Sequence, residues 1–289
     1  MNAVVLTLVL LSAVLHVLWN TLVKTCDDRL SFAWLTTVLG GAFLILPFGY
    51  VRLFAPGHID ADVWLWAGVS GAFQALYVML LFAAYGRADL SVVYPVSRGL
   101  APLAVMLFAG RFVGDAVGPL QATAVGLVVA GTVAVGLTTR NGFGRMSRSG
   151  LFLCLLTALA TAGYSLVDRK AMSLRPAPGA TEFLFLSYLF LTAVLTPWAL
   201  IRRGWRGLFS QWRVNRRDVI LVSILTPLSY LCIVAAMGMG NVVLITAGRN
   251  VGILFSTLAG AWLLRERVTR GRVFGTGVIF CGLVLLLLN

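Results

Sequence analysis

Apolar stretches of about 20 residues recur along the whole chain, and they limit its fold more than any other feature does. A helix of about 20 apolar residues crosses the hydrocarbon core of a bilayer, which is roughly 30 Å thick. Hydrophobic residues make up 60% of the sequence and charged residues only 11%, and the mean hydropathy is +0.93. The sequence therefore predicts an all-α polytopic membrane protein embedded in the lipid bilayer.

Turn-forming and charged residues divide these stretches into ten predicted transmembrane helices. Typical separators are Ala55-Pro56-Gly57 and Arg140-Asn141-Gly142. None of the connections is long enough to form a soluble domain. The ten predicted helices cover residues 2–23, 31–52, 62–84, 90–111, 117–139, 150–170, 181–201, 218–238, 241–264 and 269–288.

The chain is strongly basic, with 23 Lys and Arg residues against 10 Asp and Glu residues and a formal net charge of +13. In a soluble domain this excess would suggest a nucleic-acid partner, but here most of it lies in short connections between apolar stretches. There it sets membrane topology and contacts lipid, so no nucleic-acid partner is expected. The connections 140–149, 202–217 and 265–272 hold most of the arginines, which places them in the cytoplasm and both termini outside.

Several kinds of functional site are not indicated by the sequence. The four cysteines have neither CxxC spacing nor neighbouring histidines, so we expect neither a disulfide framework nor a metal site. The chain contains no phosphate-binding P-loop, no HExxH zinc motif and no Gly-x-Ser-x-Gly elbow. We therefore expect no catalytic residues, no cofactor and no enzymatic activity.

The sequence repeats itself in two halves, residues 1–140 and 141–289, each with five predicted helices. Matching residues, all at one offset, are Arg98 and Arg249, Asp115 and Glu266, Gly126 and Gly277, and Gly131 and Gly282. Because five is an odd number, the second half enters the membrane from the opposite side. We therefore predict two inverted repeats, with a site where they meet near the middle of the membrane.

Three local features accompany this duplication. The fourth predicted helix opens with Tyr94-Pro95-Val96-Ser97-Arg98, and the acidic turn Leu264-Arg265-Glu266-Arg267-Val268-Thr269 precedes the tenth. The first half departs from that turn, with Gly114-Asp115-Ala116-Val117 in its place. Together with the duplicated five-helix unit, these features resemble the EamA branch of the drug/metabolite transporter superfamily over essentially the whole chain. The stretch from His16-Val17-Leu18-Trp19-Asn20 to Lys24 also resembles members associated with phosphonate utilisation.

The resemblance implies a secondary transporter rather than an enzyme. It implies a central cavity lined mainly by predicted helices 1, 3, 4, 6, 8 and 9, and a location in a bacterial inner membrane. It also implies termini inside the cell, opposite to the orientation that the charge count favours. The orientation and the oligomeric state, including a homodimer, therefore stay open.

Arg98 and Arg249 lie about a third of the way into stretches of membrane-spanning length. Placing an arginine in the hydrocarbon region costs about 2.5–3.5 kcal/mol on insertion scales, so such a residue normally faces a protein interior or a watery cavity. Its planar fork of donors suits a carboxylate or phosphate group. We therefore predict an anion site, the alternative being that the arginines pair with buried carbonyl groups, Asp89 or Asp168.

Helical spacing extends this predicted site to the first, fourth, sixth and ninth helices, because each has polar side chains three or four residues apart on one face. The predicted substrate-binding residues are His16, Trp19, Asn20, Lys24, Tyr94, Ser97, Arg98, Tyr164, Ser165, Arg169, Thr246, Arg249 and Asn250. Lys24 and Arg169 lie near helix ends, where they could instead reach the membrane surface. His16 could instead be a hydrogen-bonded interior residue.

The predicted function is secondary transport of a small organic anion that carries a phosphate, phosphonate or carboxylate group, by alternating access. Acidic residues are expected only at helix ends or in connections, which disfavours export of cationic drugs. The alternatives are a flippase for a lipid-linked anionic headgroup, an exporter of amino acids or other metabolites, and a membrane scaffold without transport activity.

Overall fold

The computed structural model describes residues 2–23, 26, 28–55, 57–85, 87, 90–137, 147–262 and 269–287. These residues form twelve α-helices and no β-strand. The helices are α1 (Ala3–Val23), α2 (Arg29–Phe54), α3 (Ala61–Tyr85), α4 (Leu90–Phe112), α5 (Pro119–Leu137), α6 (Arg148–Met172), α7 (Ala180–Leu208), α8 (Ser210–Val214), α9 (Arg216–Met237), α10 (Val242–Gly248), α11 (Val251–Trp262) and α12 (Arg270–Leu287).

This architecture confirms the predicted all-α polytopic membrane protein. In the described part of the chain, eight helices are long and apolar enough to cross a membrane, and Val242–Phe255 adds a shorter apolar helix. The side chains that point outward from the bundle are largely apolar, and Leu46, Leu53 and Phe54 of α2 are each about 70% exposed, at 72%, 73% and 69%. Such residues suit contact with lipid chains rather than water.

The ninth predicted helix, 241–264, differs from the expectation because it is broken in the middle. α10 ends at Gly248 and α11 begins at Val251, so Arg249 and Asn250 lie in the turn between them. There the hydrogen bonds tighten to a spacing of three residues: Asn250 N donates to Ala247 O at 3.0 Å, and Gly252 N donates to Arg249 O at 3.2 Å. A short tightened stretch of this kind is often a hinge.

The connection predicted at 202–217 is helical instead. α7 continues to Leu208 through a kink at Gly204, whose backbone has φ +64° and ψ 166°, and α8 follows. This end of α7 packs on the start of α2, where Arg203 Nε lies 3.1 Å from Asp28 Oδ2 and Ser31 Oγ donates to Gly207 O at 3.0 Å. Glycine supplies a backbone conformation that other residues rarely adopt, and the kink returns the chain to the bundle.

The helices of the two halves pack on each other reciprocally. α3 packs on α6 and α7, and the matching helix of the second half, α9, packs on α1 and α2. In the same way α4 packs on α6, while α10 and α11 pack on α1. α2 pairs with its mate α7, and α5 with its mate α12. This exchange of partners is the packing expected of two interlocked inverted repeats.

Candidate functional site

A narrow pocket lies where α3, α4 and α6 meet the turn between α10 and α11. Its lining residues are Tyr77, Ser97, Arg98, Ala101, Thr161, Tyr164, Thr246, Arg249 and Asn250. Six of them belong to the predicted substrate-binding set, and Arg98 and Arg249 are both present. The matching arginines of the two halves therefore line the same pocket, as expected for a site at the repeat interface.

Arg98 reaches the pocket from α4 and contacts His16 of α1. The Nη1 atom of Arg98 lies 2.8 Å from Nε2 of His16. A guanidinium group only donates hydrogen bonds, so Nε2 must accept and the imidazole proton must be on Nδ1. His16 is therefore a neutral acceptor that orients Arg98. Its ring also packs edge to face on Trp19, with 4.4 Å between the ring centroids.

Arg249 and Asn250 are brought to the pocket by the break between α10 and α11. The Cζ atom of Arg249 lies 5.4 Å from the ring centroid of Tyr230, over its face, which is a favourable place for a cation. Asn250 is only 1% exposed, and its Nδ2 group has no hydrogen-bond partner among the described residues. A buried amide donor without a partner is costly, and here it lines the pocket, where a ligand oxygen can accept its hydrogen bond.

Three tyrosines form a connected aromatic wall beside the pocket. Tyr164 packs edge to face on Tyr77 and on Tyr230, with centroid separations of 6.0 Å and 5.9 Å. Sequence analysis identified Tyr164 but missed Tyr77 and Tyr230. An aromatic residue in an apolar helix normally indicates packing or an interfacial position, so the sequence around α3 and α9 carries no signal that distinguishes these two.

Asp168 is a further buried residue, which the sequence suggested only as an alternative partner of the arginines. It lies one turn before the end of α6, yet it is fully buried. Ser70 and Tyr230 donate hydroxyl hydrogen bonds to its two carboxyl oxygens, and Gln74 Nε2 donates to Ser70 Oγ at 3.0 Å. Asp168 thus lies near a helix end, as predicted, but its carboxyl group is buried because α3 and α9 pack on α6.

Arg169 lies outside the pocket and joins three parts of the structure. Its Nε and Nη2 atoms donate to the two carboxylate oxygens of Asp115 at 2.9 Å and 3.0 Å, and Nη1 donates to Met237 O. Asp115 also accepts a hydrogen bond from Val242 N at 2.7 Å. The arrangement ties the end of α6 to the connection before α5 and to the start of α10, where Asn241 caps the helix.

The other predicted site residues have various positions. Asn20 is half-buried on α1, and the Nε1 atom of Trp19 is buried with no partner among the described residues. Ser165 is buried, and its hydroxyl donates to Thr161 O within α6 at 2.8 Å. Lys24 lies outside the described residues, as do Asp89 and the side chain of Tyr94.

Comparison with known proteins finds a family model that matches the second half of the chain and solved structures that share the fold. The model of the EamA-like transporter family matches residues 148–288, which contain α6 to α12. Among solved structures 29 chains match. One of them, described only as "Crystal structure of protein", has a TM-score of 0.76 and 22% sequence identity, and the match covers 99% of this chain and 95% of that one. At this identity the likeness shows the fold alone. No curated protein matches the sequence.

Proposed function

Because the chain belongs to the EamA-like transporter family, we propose that it carries a small organic anion across the membrane by alternating access, with Arg98 and Arg249 as its anion-binding pair. The observation that carries the proposal is the convergence of these two arginines, one from each half, on one pocket.

The electrostatics of the pocket favour an anion. Two guanidinium groups that line one narrow pocket repel each other, and an anion between them turns this repulsion into attraction. Carboxylate, phosphate and phosphonate groups also match the forked donor geometry of arginine. Asn250 Nδ2 adds a buried donor without a partner among the described residues.

The pocket residues other than the two arginines and Asn250 favour particular chemistry in the part of the substrate outside its anionic group. Tyr77, Tyr164 and Ala101 line the pocket with rings and a methyl group, so a short organic part would be in contact with apolar surface. Thr161 and Thr246 both give their hydroxyl hydrogen to their own helix, to Thr157 O and Val242 O. Their hydroxyl oxygens keep acceptor capacity. A small anion with an apolar stem and a donor group fits these walls best.

The broken helix offers a structural basis for alternating access. Arg249 sits on the tightened turn between α10 and α11, so a change in the angle between these helices would move Arg249 relative to Arg98. A ligand held by both arginines would couple its own binding to that movement. We also propose that the transporter lies in a bacterial inner membrane, the location that the resemblance to this family implies.

The experiment that tests the proposal is binding and uptake with arginine variants. The purified protein is screened by thermal shift against phosphates, phosphonates, carboxylates, amino acids and cationic drugs, and each ligand found is then measured as uptake into proteoliposomes. Arg98→Gln and Arg249→Gln should each reduce the affinity for the anion at least tenfold, the equivalent of about 1.4 kcal/mol. A bound ligand raises the apparent stability according to its concentration relative to Kd, so loss of the shift reports loss of binding.

Arg111→Gln is the matched control, because Arg111 lies on the same helix as Arg98 but is exposed in the last turn of α4. It should keep both binding and uptake. Stabilisation by cations or neutral amino acids that survives in both pocket variants would show that the arginines are structural and that the anion proposal is wrong. Stabilisation by lipid-linked anions alone would point to the flippase alternative.

A further inference from the structure

A buried carboxylate, Asp168, is hydrogen-bonded to Tyr230, the tyrosine whose ring lies under Arg249. It is one helical turn along α6 from Tyr164, which lines the pocket. Ser70 and Tyr230 each donate an O–H group to a different carboxyl oxygen of Asp168, and Ser70 in turn accepts from Gln74 Nε2 at 3.0 Å. Two donors, one on each oxygen, stabilise an ionised carboxylate.

Tyr230 links this carboxylate to Arg249. Its hydroxyl group donates to Asp168 Oδ2, and the face of its ring lies under the guanidinium of Arg249, with 5.4 Å from Cζ to the centroid. A cation is attracted to the face of an aromatic ring. Negative charge at the hydroxyl end of the same ring adds to that attraction. The carboxylate and the guanidinium therefore interact through one tyrosine.

The charge around the pocket follows from these contacts. Arg98 and Arg249 each carry one positive charge, since arginine keeps its proton in proteins. His16 contributes none, because its Nε2 accepts a hydrogen bond from Arg98. At pH 8, ionised Asp168 contributes one negative charge. Among the described residues, Tyr164 and Tyr230 also lie next to Asp168 or its contacts, and neither adds a basic or carboxylate side chain. Counted over these described residues, the pocket and its immediate surroundings carry a single positive charge.

We propose that Asp168 sets the charge of the substrate, so that the pocket selects a monoanion over a dianion. The inference rests on the proposed anion transport and narrows its substrate class. An uncompensated charge is costly in a buried site of low dielectric. A monoanion leaves the loaded pocket neutral, whereas a dianion leaves a surplus negative charge beside Asp168. Removal of the carboxylate charge should reverse this preference.

The test compares anions of similar composition and different charge on Asp168→Asn. The probes are methanesulfonate against sulfate, butyrate against succinate, and dimethyl phosphate against methyl phosphate, all at pH 8. The quantity measured is the ratio of the two Kd values within each pair. The native protein should favour the monoanion, and Asp168→Asn should shift the ratio at least tenfold towards the dianion. Because a ratio is measured on one preparation, a loss of active protein does not alter it.

Ser70→Ala is the matched control, because it removes a hydroxyl donor from the same carboxylate and leaves its charge. It should shift the ratio much less than Asp168→Asn does. An equal shift in both variants would attribute the change to repacking around α6 and overturn the proposal. If Asp168→Asn does not fold, Asp168→Ser replaces it, because this change also removes the carboxylate charge. It should shift the ratio in the same direction, and an unchanged ratio in that variant overturns the proposal.

The outcomes separate this inference from the proposed function. If anions bind, and Arg98→Gln and Arg249→Gln weaken them, but Asp168→Asn leaves every ratio unchanged, anion transport stands and the role of Asp168 is wrong. If the native protein binds no anion of any charge, both proposals fail. A native preference for dianions also overturns the role of Asp168, because it contradicts the single positive charge of the pocket.

Discussion

At the scale of single residues, the neighbours of each half-buried arginine within the helix bundle decide what it does. Arg98 and Arg249 line the pocket, where His16 accepts a hydrogen bond from Arg98 and the ring of Tyr230 lies under Arg249. Arg169 instead uses Nε, Nη1 and Nη2 on Asp115 and on the carbonyl of Met237. An arginine engaged in this way stabilises the packing of helices, so we assign it a structural role.

Arg169→Gln should therefore destabilise the protein without changing its ligand affinity. Its side chain is 19% exposed and that of Asp115 is 9% exposed, so loss of the pair should cost about 3 kcal/mol, the low end for a buried ion pair that loses one partner. Two quantities are measured: the unfolding temperature in detergent, and the Kd of an anion identified in the thermal-shift screen. Asp115→Asn combined with Arg169→Gln should cost less than the sum of the two single changes. A reduced affinity at unchanged stability would instead place Arg169 in the site.

The arginine pair could be predicted from sequence for two reasons. A guanidinium group within an apolar helix is costly, and each half of the chain has one at the same position. The partner of Arg169 could not be predicted from sequence. Asp115 lies 54 residues away, in a connection whose path the sequence does not specify. Tyr230 was missed for a different reason. Its role depends on Asp168 and Arg249 lying on either side of it, and that proximity exists only once α6, α9 and α10 have packed.

At the scale of helices, hydrophobicity predicts where a helix lies better than where it bends. The apolar pattern of 241–264 is continuous, so it predicts one helix and not the turn at Arg249 and Asn250. The end of α7 shows the opposite error. Arginines and glycines in 202–217 suggest a connection, but Trp205 and Phe209 pack on Trp34 with centroid separations of 6.2 Å and 5.5 Å and hold the segment as helix.

Gly204→Ala should loosen this helical end. A residue with a Cβ atom strains at φ +64° and ψ 166°, at a cost of about 1–3 kcal/mol. The segment after the kink should then leave α2, and its exposed arginines should be cleaved faster by trypsin. Limited proteolysis and thermal unfolding measure both effects. Gly49→Ala is the control, because a Cβ at Gly49 of α2 meets nothing within 4 Å. Equal cleavage of both variants would show that Gly204 does not hold the bend.

At the scale of the whole molecule, the two halves meet through equivalent contacts at α5 and α12. A Cβ atom added to Gly131 would lie 2.7 Å from Gly275 O, and one added to Gly282 would lie 2.8 Å from Ala124 O. The same sequence offset relates Gly131 to Gly282 and Ala124 to Gly275. One close contact between backbones therefore occurs twice, once on each side of the interface between the repeats.

This equivalence gives a test of the repeat architecture with four glycines. Gly131→Ala and Gly282→Ala should each force α5 and α12 apart and destabilise the protein by similar amounts, about 1–3 kcal/mol for an overpacked contact. Gly126→Ala and Gly277→Ala are a second matched pair on the same two helices, and a Cβ at either position meets nothing within 4 Å. They should leave the unfolding temperature unchanged or raise it slightly, because alanine favours helix.

If only Gly131→Ala or only Gly282→Ala destabilises the protein, the contacts on the two sides of the interface are not equivalent. Arg98 and Arg249 are related by the same sequence offset as Gly131 and Gly282. An asymmetric result would therefore also weaken the argument that the two arginines have matching roles in binding.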